Sequence, residues 1–415
     1  MQCRIEGINH KGEGVARLDG KATFVPGAIP GELVDVEIIV SKARYNQALL
    51  KGVLETSEGR INPLCPHYQG CGGCAYQHIS YHRELEFKRQ VVEDSLRRIG
   101  KLLAPVKPVI GMDEPTCYRN KVVWHILSGK IGYYQPLSNK LTPIDTCNLI
   151  SPEMERVIKP LTRLLPALSF VEPGEAVLRQ SSLNGELMLV LRKLRSYPSA
   201  KVLGALTETC SSIYGETRSH LKLLYGQDAL IEEINGLRFR VSPQSFFQIN
   251  HRQNEKIIDI ILDYLALNGN ESILDAYCGV GSISLSLAKK SERVLGIESN
   301  RQAVDDARAN AMINHIDNCE FMSGACEKVL PGLGKKFDAA VIDPPRAGCR
   351  PEVIEVLAES GAKRIVYVSC NPATLARDLA QFAQLGYRIR EVQPIDMFPK
   401  TYHVETVVLM SRVKE

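Results

Sequence analysis

Cys370 stands in Val368-Ser-Cys-Asn-Pro-Ala-Thr374, between a run that reads as a strand and one that reads as a helix. Asn371 is a good N-cap and Pro372 a good first helical residue, so Cys370 is expected at a helix N-terminus. Partial positive charge there would favour the thiolate and lower the thiol pKa from about 8.5. Thr401-Tyr-His-Val-Glu405 precedes the last apolar run and supplies Glu405 as a candidate general base, with His403 as the alternative. A thiolate with a base is equipment for covalent catalysis, in which one hard step is split into easier ones. The plainer readings are a buried thiol, as expected for Cys278 and Cys319, and an exposed strand-edge acid.

A second constellation is Ile273-Leu-Asp-Ala-Tyr-Cys-Gly-Val-Gly-Ser-Ile-Ser284, which reads strand, glycine turn, helix. The dinucleotide fingerprint wants Gly or Ala where this chain has Ser284, and no Lys-Ser/Thr follows as in a triphosphate loop. Asp275 before the turn would repel a phosphate but not a cationic sulfonium. Glu298, about 20 residues on, suits ribose hydroxyls. The combination is the pattern of S-adenosylmethionine methyltransferases; the competing reading is another α/β enzyme with a glycine turn. Val341-Ile-Asp-Pro-Pro-Arg-Ala-Gly348 closes a further strand, and its prolines hold Asp343 and Arg346 over the ligand crevice. Amino-methyltransferases carry an aromatic where Arg346 stands, which counts against N-methylation of a base.

A methyl donor beside a thiolate has a specific use. Carbon 5 of uracil is a poor nucleophile. Addition of a thiolate to carbon 6 makes an enolate, carbon 5 takes the methyl group, and a base then removes the carbon 5 proton so that the sulfur can leave. Cys370 and Glu405 fit those two roles.

The elements that must position these residues fall into three zones of a 415-residue chain. Residues 1–56 hold short strands at Ile5-Glu-Gly-Ile8, 22–25, 33–40 and 48–54, punctuated by glycines, as in a small oligonucleotide-binding-like β-barrel. Lys42, Arg44 and Tyr45 would offer it cations and a stacking ring, or merely a solvated loop. Residues 57–244 are an α+β zone with a polar helix at 80–98 and antiparallel strands near 176–178 and 187–192. Residues 245–415 alternate strands (272–276, 293–298, 319–323, 339–343, 364–369, 406–410) with helices (282–289, 302–314, 351–360, 374–384), a doubly wound Rossmann-like α/β domain. Its cofactor should sit at the carboxyl ends of the strands.

The net charge of +4 fits a polyanionic partner weakly. No apolar run approaches the ~20 residues of a membrane span. Met1-Gln-Cys-Arg-Ile-Glu lacks a secretory core, so a cytoplasmic location is expected, with disulfides absent despite twelve cysteines. Cys65-Pro-His-Tyr-Gln-Gly-Cys71-Gly-Gly-Cys74 points to a metal site with a fourth ligand elsewhere, Cys117 or Cys147; zinc would accept four thiolates, and His67 or His78 could replace one.

The chain resembles the RNA uracil-5 methyltransferases over essentially its whole length. The resemblance rests on Ser245-Phe-Phe-Gln-Ile-Asn250, Asp275-Ala-Tyr-Cys-Gly-Val-Gly281, Asp343-Pro-Pro-Arg-Ala-Gly348, Ser369-Cys-Asn-Pro372 and His403-Val-Glu405. It implies Cys370 as nucleophile, Glu405 as base, and Gln248, Tyr277, Glu298 and Asp343 around S-adenosylmethionine. Ser282 departs from members with Asn there, so that cofactor contact is not carried over. The barrel resembles the TRAM domain, which raises its case for binding RNA. The resemblance also implies a structural 4Fe–4S cluster on Cys65, Cys71, Cys74 and Cys147, and a target in 23S ribosomal RNA, since members with barrel and cluster act there while simpler ones modify the transfer-RNA T-loop. A monomer is expected. The alternatives from other classes are an N-methyltransferase and a non-catalytic iron–sulfur RNA-binding protein.

Overall fold

The computed structural model describes residues 1–413, except 137 and 219. The N-terminal strands Gln2–Arg4, Gly7–Ile8, Glu13–Leu18, Lys21–Pro26, Leu33–Ser41 and Tyr45–Glu55 form one six-stranded sheet. Its inward residues alternate along the strands: Val34, Val36 and Ala48 are buried around Ala16 and Val25. The strands Gln2–Arg4 and Glu13–Leu18 add to the four expected. In Glu13–Leu18 the buried positions are the small residues Gly14 and Ala16, which give little of the apolar alternation that marks a strand.

The middle sheet has seven strands, in the order Leu221–Gly226, Ser212–Glu216, Leu187–Leu194, Phe170–Gln180, Lys121–Leu127, Lys130–Tyr134, Leu141–Pro143. All neighbours are antiparallel except the pair of 187–194 with 212–216. One face buries Trp124, Leu178, Leu189 and Leu191 against the helices Ile158–Leu164 and Ala200–Thr207. Each fully buried side chain of this size contributes roughly 1.5–3 kcal/mol.

The third sheet also has seven strands: Cys319–Ser323, Arg293–Glu298, Ser272–Ala276, Ala339–Ile342, Arg364–Ser369, Glu405–Arg412 and Tyr387–Ile395. The first five are parallel and the strand Glu405–Arg412 runs antiparallel to both of its neighbours. That reversal turns the start of Glu405–Arg412 toward the carboxyl ends of the parallel strands.

The segment after the cysteine run reaches across to this layer. The helix Tyr81–Ser95 buries Val92, and Leu96 continues the same face, both in the core formed with Leu375, Leu379 and Tyr367. Among the described residues no helix is long and apolar enough to cross a membrane.

Candidate active site

The antiparallel register sets the central geometry. Ser369 pairs with Thr406 across the strands 364–369 and 405–412. The next residue on one strand is Cys370 and the preceding residue on the other is Glu405, so they lie side by side at the sheet end. Both line one cavity of about 1260 Å³, together with Asp343, Arg346, Gln248, Tyr277 and Glu298. All six residues expected to react or bind cofactor there are thus brought together. His403 is not among the lining residues; its ring lies 3.4 Å from Arg346 and packs on Tyr402.

Local chemistry fixes these positions. The helix Pro372–Gln384 starts at Asn371, whose side chain accepts from the Ala373 amide at 3.1 Å. The same side chain donates to the Arg346 carbonyl at 3.0 Å. Buried Asp378 accepts from the Cys349 amide at 2.8 Å and from the Tyr367 hydroxyl at 2.7 Å. Gly348 has φ +77°, and a Cβ there would meet Asp378 at 2.5 Å, so only glycine lets the loop close so tightly. The Arg346 loop and the Cys370 turn are therefore held as one piece.

A second brace comes from outside the sheet. Lys88, fully buried, donates to Glu84 at 2.7 Å, to Asp396 at 2.6 Å and to the Phe398 carbonyl at 3.1 Å. Glu84 also accepts from the Lys400 amide at 2.7 Å. These bonds fix the turn that delivers Phe398 to the cavity and leads into Glu405.

The electrostatics correct one expectation. The Cys370 thiol is not held low but pushed up to about 11, by burial first, then by Glu405 and Asp343, with Arg346 working against them. The helix end is present, but Asn371 already occupies its exposed amide, and burial together with the two carboxyls outweighs what dipole remains. Glu405 is fully enclosed and lies well above the ordinary carboxyl range through burial and Asp343. Burial raises Asp343 to about 7. His403 is pushed down to about 4 by burial and Arg346, so its ring is neutral.

The opposite wall follows the strand Ser272–Ala276. Tyr277 adopts φ +69°, a left-handed backbone that a non-glycine residue holds only where its surroundings compel it. Amides of Tyr277 and Cys278 both donate to the Ile297 carbonyl. Glu298 accepts from the amides of Gly279 at 3.2 Å and Asn300 at 2.7 Å, which aims its carboxylate along the cavity rim. Asp275 lies beneath the loop, not in the cavity: it is fully buried and accepts from Ser284 Oγ. The serine that departs from a dinucleotide fingerprint is the partner of that acid. Phe246, 60% exposed, Ser299, Asn300 and Phe398 also line the cavity. Arg346 was expected over the crevice with Asp343, as found, but without a role, and Phe398 carries no local signal because a turn delivers it.

A separate small cavity of about 30 Å³ is lined by Cys65, Cys71, Cys74 and Cys147, with His67 and Arg119. The Gly73 amide donates to Cys71 Sγ at 3.3 Å and Gln77 to Cys74 Sγ at 3.6 Å. Cys117 lies outside it, exposed, 3.9 Å from the Asn148 carbonyl. His67 pairs with Asp145 at 2.8 Å, and His78 bonds Tyr68 away from the cavity. Among the described residues no three such side chains converge to hold a single ion. Four thiols ringing one space, with donors aimed at two sulfurs, are a donor set that fits a polynuclear thiolate-bound cluster.

The sequence and fold have counterparts among known proteins. Residues 215–413 match the family model for tRNA (Uracil-5-)-methyltransferase, and residues 2–50 match the TRAM domain. An uncharacterized RNA methyltransferase of Caldanaerobacter subterraneus subsp. tengcongensis is 40% identical over 443 residues, covering 99% of this chain and 97% of that protein. One from Clostridium tetani is 38% identical, covering 98% of this chain and 95% of its own length. The crystal structure of Pyrococcus abyssi tRNA (uracil-54, C5)-methyltransferase in complex with S-adenosyl-L-homocysteine superposes with a TM-score of 0.80 at 29% identity, over 99% of this chain and 100% of that one. The chain belongs to the tRNA (uracil-5-)-methyltransferase family, RNA methyltransferases that draw their methyl group from S-adenosylmethionine.

Proposed function

We propose that the protein methylates carbon 5 of a uridine in 23S ribosomal RNA through a covalent adduct with Cys370. The observation that carries this reading is the strand register that sets Cys370 beside Glu405 in one cavity with Asp343 and Arg346. Cys370 gives up its proton to solvent and its sulfur bonds to carbon 6 of the uracil, the electron pair of the 5,6 double bond moving into an enolate; carbon 5 then takes the methyl group, and the donor would leave as S-adenosylhomocysteine. Glu405 receives the carbon 5 proton, the carbon–sulfur bond breaks, and the electron pair of the broken carbon–hydrogen bond restores the ring double bond. A carboxyl held above its ordinary range is a stronger base, which suits that last proton transfer. Gln248, Tyr277, Glu298 and Asp343 hold the methyl donor. His403 acts on Arg346 rather than as the base.

Cys65, Cys71, Cys74 and Cys147 would hold a 4Fe–4S cluster. The support is that all four thiols line one small cavity; a zinc ion is the alternative that the same four donors would accept. The cluster's part is structural, because the Ala75 and Tyr76 amides just beyond Cys74 both donate to the Lys400 carbonyl in the turn before Glu405. We divide the chain into residues 1–56 for RNA capture, 57–244 for the cluster and middle sheet, and 245–415 for catalysis, in a cytoplasmic monomer.

A transfer-RNA substrate is the second reading. The Pyrococcus abyssi tRNA enzyme aligns along its entire chain, so an N-terminal barrel alone does not separate ribosomal from transfer RNA substrates. The cysteine cavity therefore carries the ribosomal assignment. Incubation with RNA containing 5-fluorouridine tests both points, because fluorine cannot leave as a cation and the adduct persists. A band shift that survives Cys370→Ala would refute the nucleophile. Sequencing the trapped fragment decides between 23S and transfer RNA.

A further inference from the structure

Lys121 and Arg179 face each other directly across the strands 121–127 and 170–180 of the middle sheet. Directly opposed residues share a face with Cβ atoms about 4.5–5.5 Å apart, and like charges there repel. Arg179 is only 4% exposed. One end of its guanidinium donates to the Ser245 carbonyl at 3.0 Å, while Nη1 is buried with no partner among the described residues. Lys121, half-buried beside it, is pushed down to about 8 by burial and then by Arg179 and Arg192.

The nearby acids serve Arg179 and other groups, not Lys121, although Glu232 Oε1 has no hydrogen-bond partner among the described residues. Glu232 takes the Ser182 amide at 2.9 Å and its hydroxyl. Asp306 takes Arg240 at 2.7 Å, the Ser242 amide at 2.9 Å and the Ser245 hydroxyl at 2.6 Å. Arg192 pairs with Glu216 at 3.1 Å. Glu232 and Asp306 offset Arg179, but Lys121 faces two arginines with no carboxylate acting on it among the described residues, and the ligand that relieves it is an anion with several acceptor oxygens.

The position says which anion. Arg179 grips Ser245 and Asn120, next to Lys121, grips the Gln248 carbonyl at 3.1 Å. Between these anchors lie Phe246 and Gln248 of the large cavity wall, while Lys121 and Arg179 lie outside the cavity. We propose that Lys121, opposed across the strands by buried Arg179, binds a backbone phosphate of the RNA strand flanking the nucleotide held in the cavity. This rests on the cavity receiving an RNA nucleotide.

The test uses the full chain and a single-stranded oligouridylate, with affinity measured across a salt series. Neutralising one phosphate contact lowers the salt slope by about 0.7 for single strands. Lys121→Gln should lose that much slope and bind several-fold more weakly at low salt, while Lys121→Arg keeps both. S-adenosylhomocysteine affinity should be unchanged in both variants, which shows that the fold is intact. An unaltered slope in Lys121→Gln with intact cofactor binding would overturn the site. That outcome is separate from failure of the cavity reading, since Cys370-dependent trapping of saturating 5-fluorouridine RNA by Lys121→Gln reports the latter alone.

Discussion

Arg346 sets its guanidinium beside the Cys370 sulfur, where it opposes the carboxyls of Glu405 and Asp343. The thiol still lies high, at about 11. Removing Arg346 leaves the two carboxyls unopposed and raises it further. A thiol whose pKa rises by about one holds roughly a tenth as much thiolate at neutral pH. Arg346→Gln should therefore slow adduct formation with 5-fluorouridine RNA by roughly 10–100-fold at pH 7, with Arg346→Lys recovering part of the rate. The sign fixes the pH behaviour. A raised thiol ionises more as pH rises, so both rates climb and their ratio narrows where the wild-type thiol approaches full ionisation. A ratio that stays constant even above the wild-type value of about 11 would mean that Arg346 acts on something other than Cys370.

Glu405→Gln separates the two halves of the reaction. The substitution keeps the shape but cannot accept the carbon 5 proton. It also removes the larger of the two carboxyl influences that raise Cys370. Adduct formation should be as fast as in the wild type or faster, while turnover falls by about 10²–10⁴. The expected readout is a covalent protein–RNA band on ordinary uridine RNA that carries the transferred methyl group. Fast turnover without such a band would move the base elsewhere.

These outcomes depend on features that were unequally legible in the sequence. The strand–turn–helix at 272–288 could be read directly, because glycine spacing and apolar runs are local. The pairing of Cys370 with Glu405 could be expected but not its cause. A strand pattern is the same in both directions, so the antiparallel return of Glu405–Arg412 leaves no mark in residue order. The strand Tyr387–Ile395 was hidden by Arg388, Arg390 and Glu391 along its exposed edge. The helix Cys326–Leu333 was hidden by Pro331 within it. The Cys370 pKa was misjudged for a related reason. The helix end is local in sequence, whereas the burial and the carboxyls that outweigh it come from distant segments.

The cysteine cavity gives a prediction that a general loss of stability would not mimic. Cys147 lines the cavity and Cys117 does not, although both lie in the same zone of sequence. Anaerobically purified Cys147→Ser should lose most of its iron and its visible absorption. Cys117→Ser should keep both. If the two variants retain equal iron, the four-thiol assignment is wrong; if the wild type carries zinc, the cluster is wrong and the four thiols hold that ion instead.

Asp275 should make stability fall as pH rises in the apo protein. It is fully buried, with Oδ1 lacking a partner, and lies at about 7 against an ordinary 3.8, chiefly through burial. The folded state thus holds a proton that the unfolded state has released. Its stabilisation is complete below about pH 4 and is lost as pH rises through 7, a span worth on the order of 4 kcal/mol. Asp343 has the same sign and window, so the wild type carries two such groups. Asp275→Asn keeps an oxygen for Ser284 Oγ to donate to and removes the charge. Its thermal midpoint should decline less than that of the wild type between about pH 4 and 8, and should exceed it at the upper end. Parallel curves over that range would mean that the buried acid is solvated in solution, and that the loop beneath the cofactor wall is looser than its hydrogen bonds indicate.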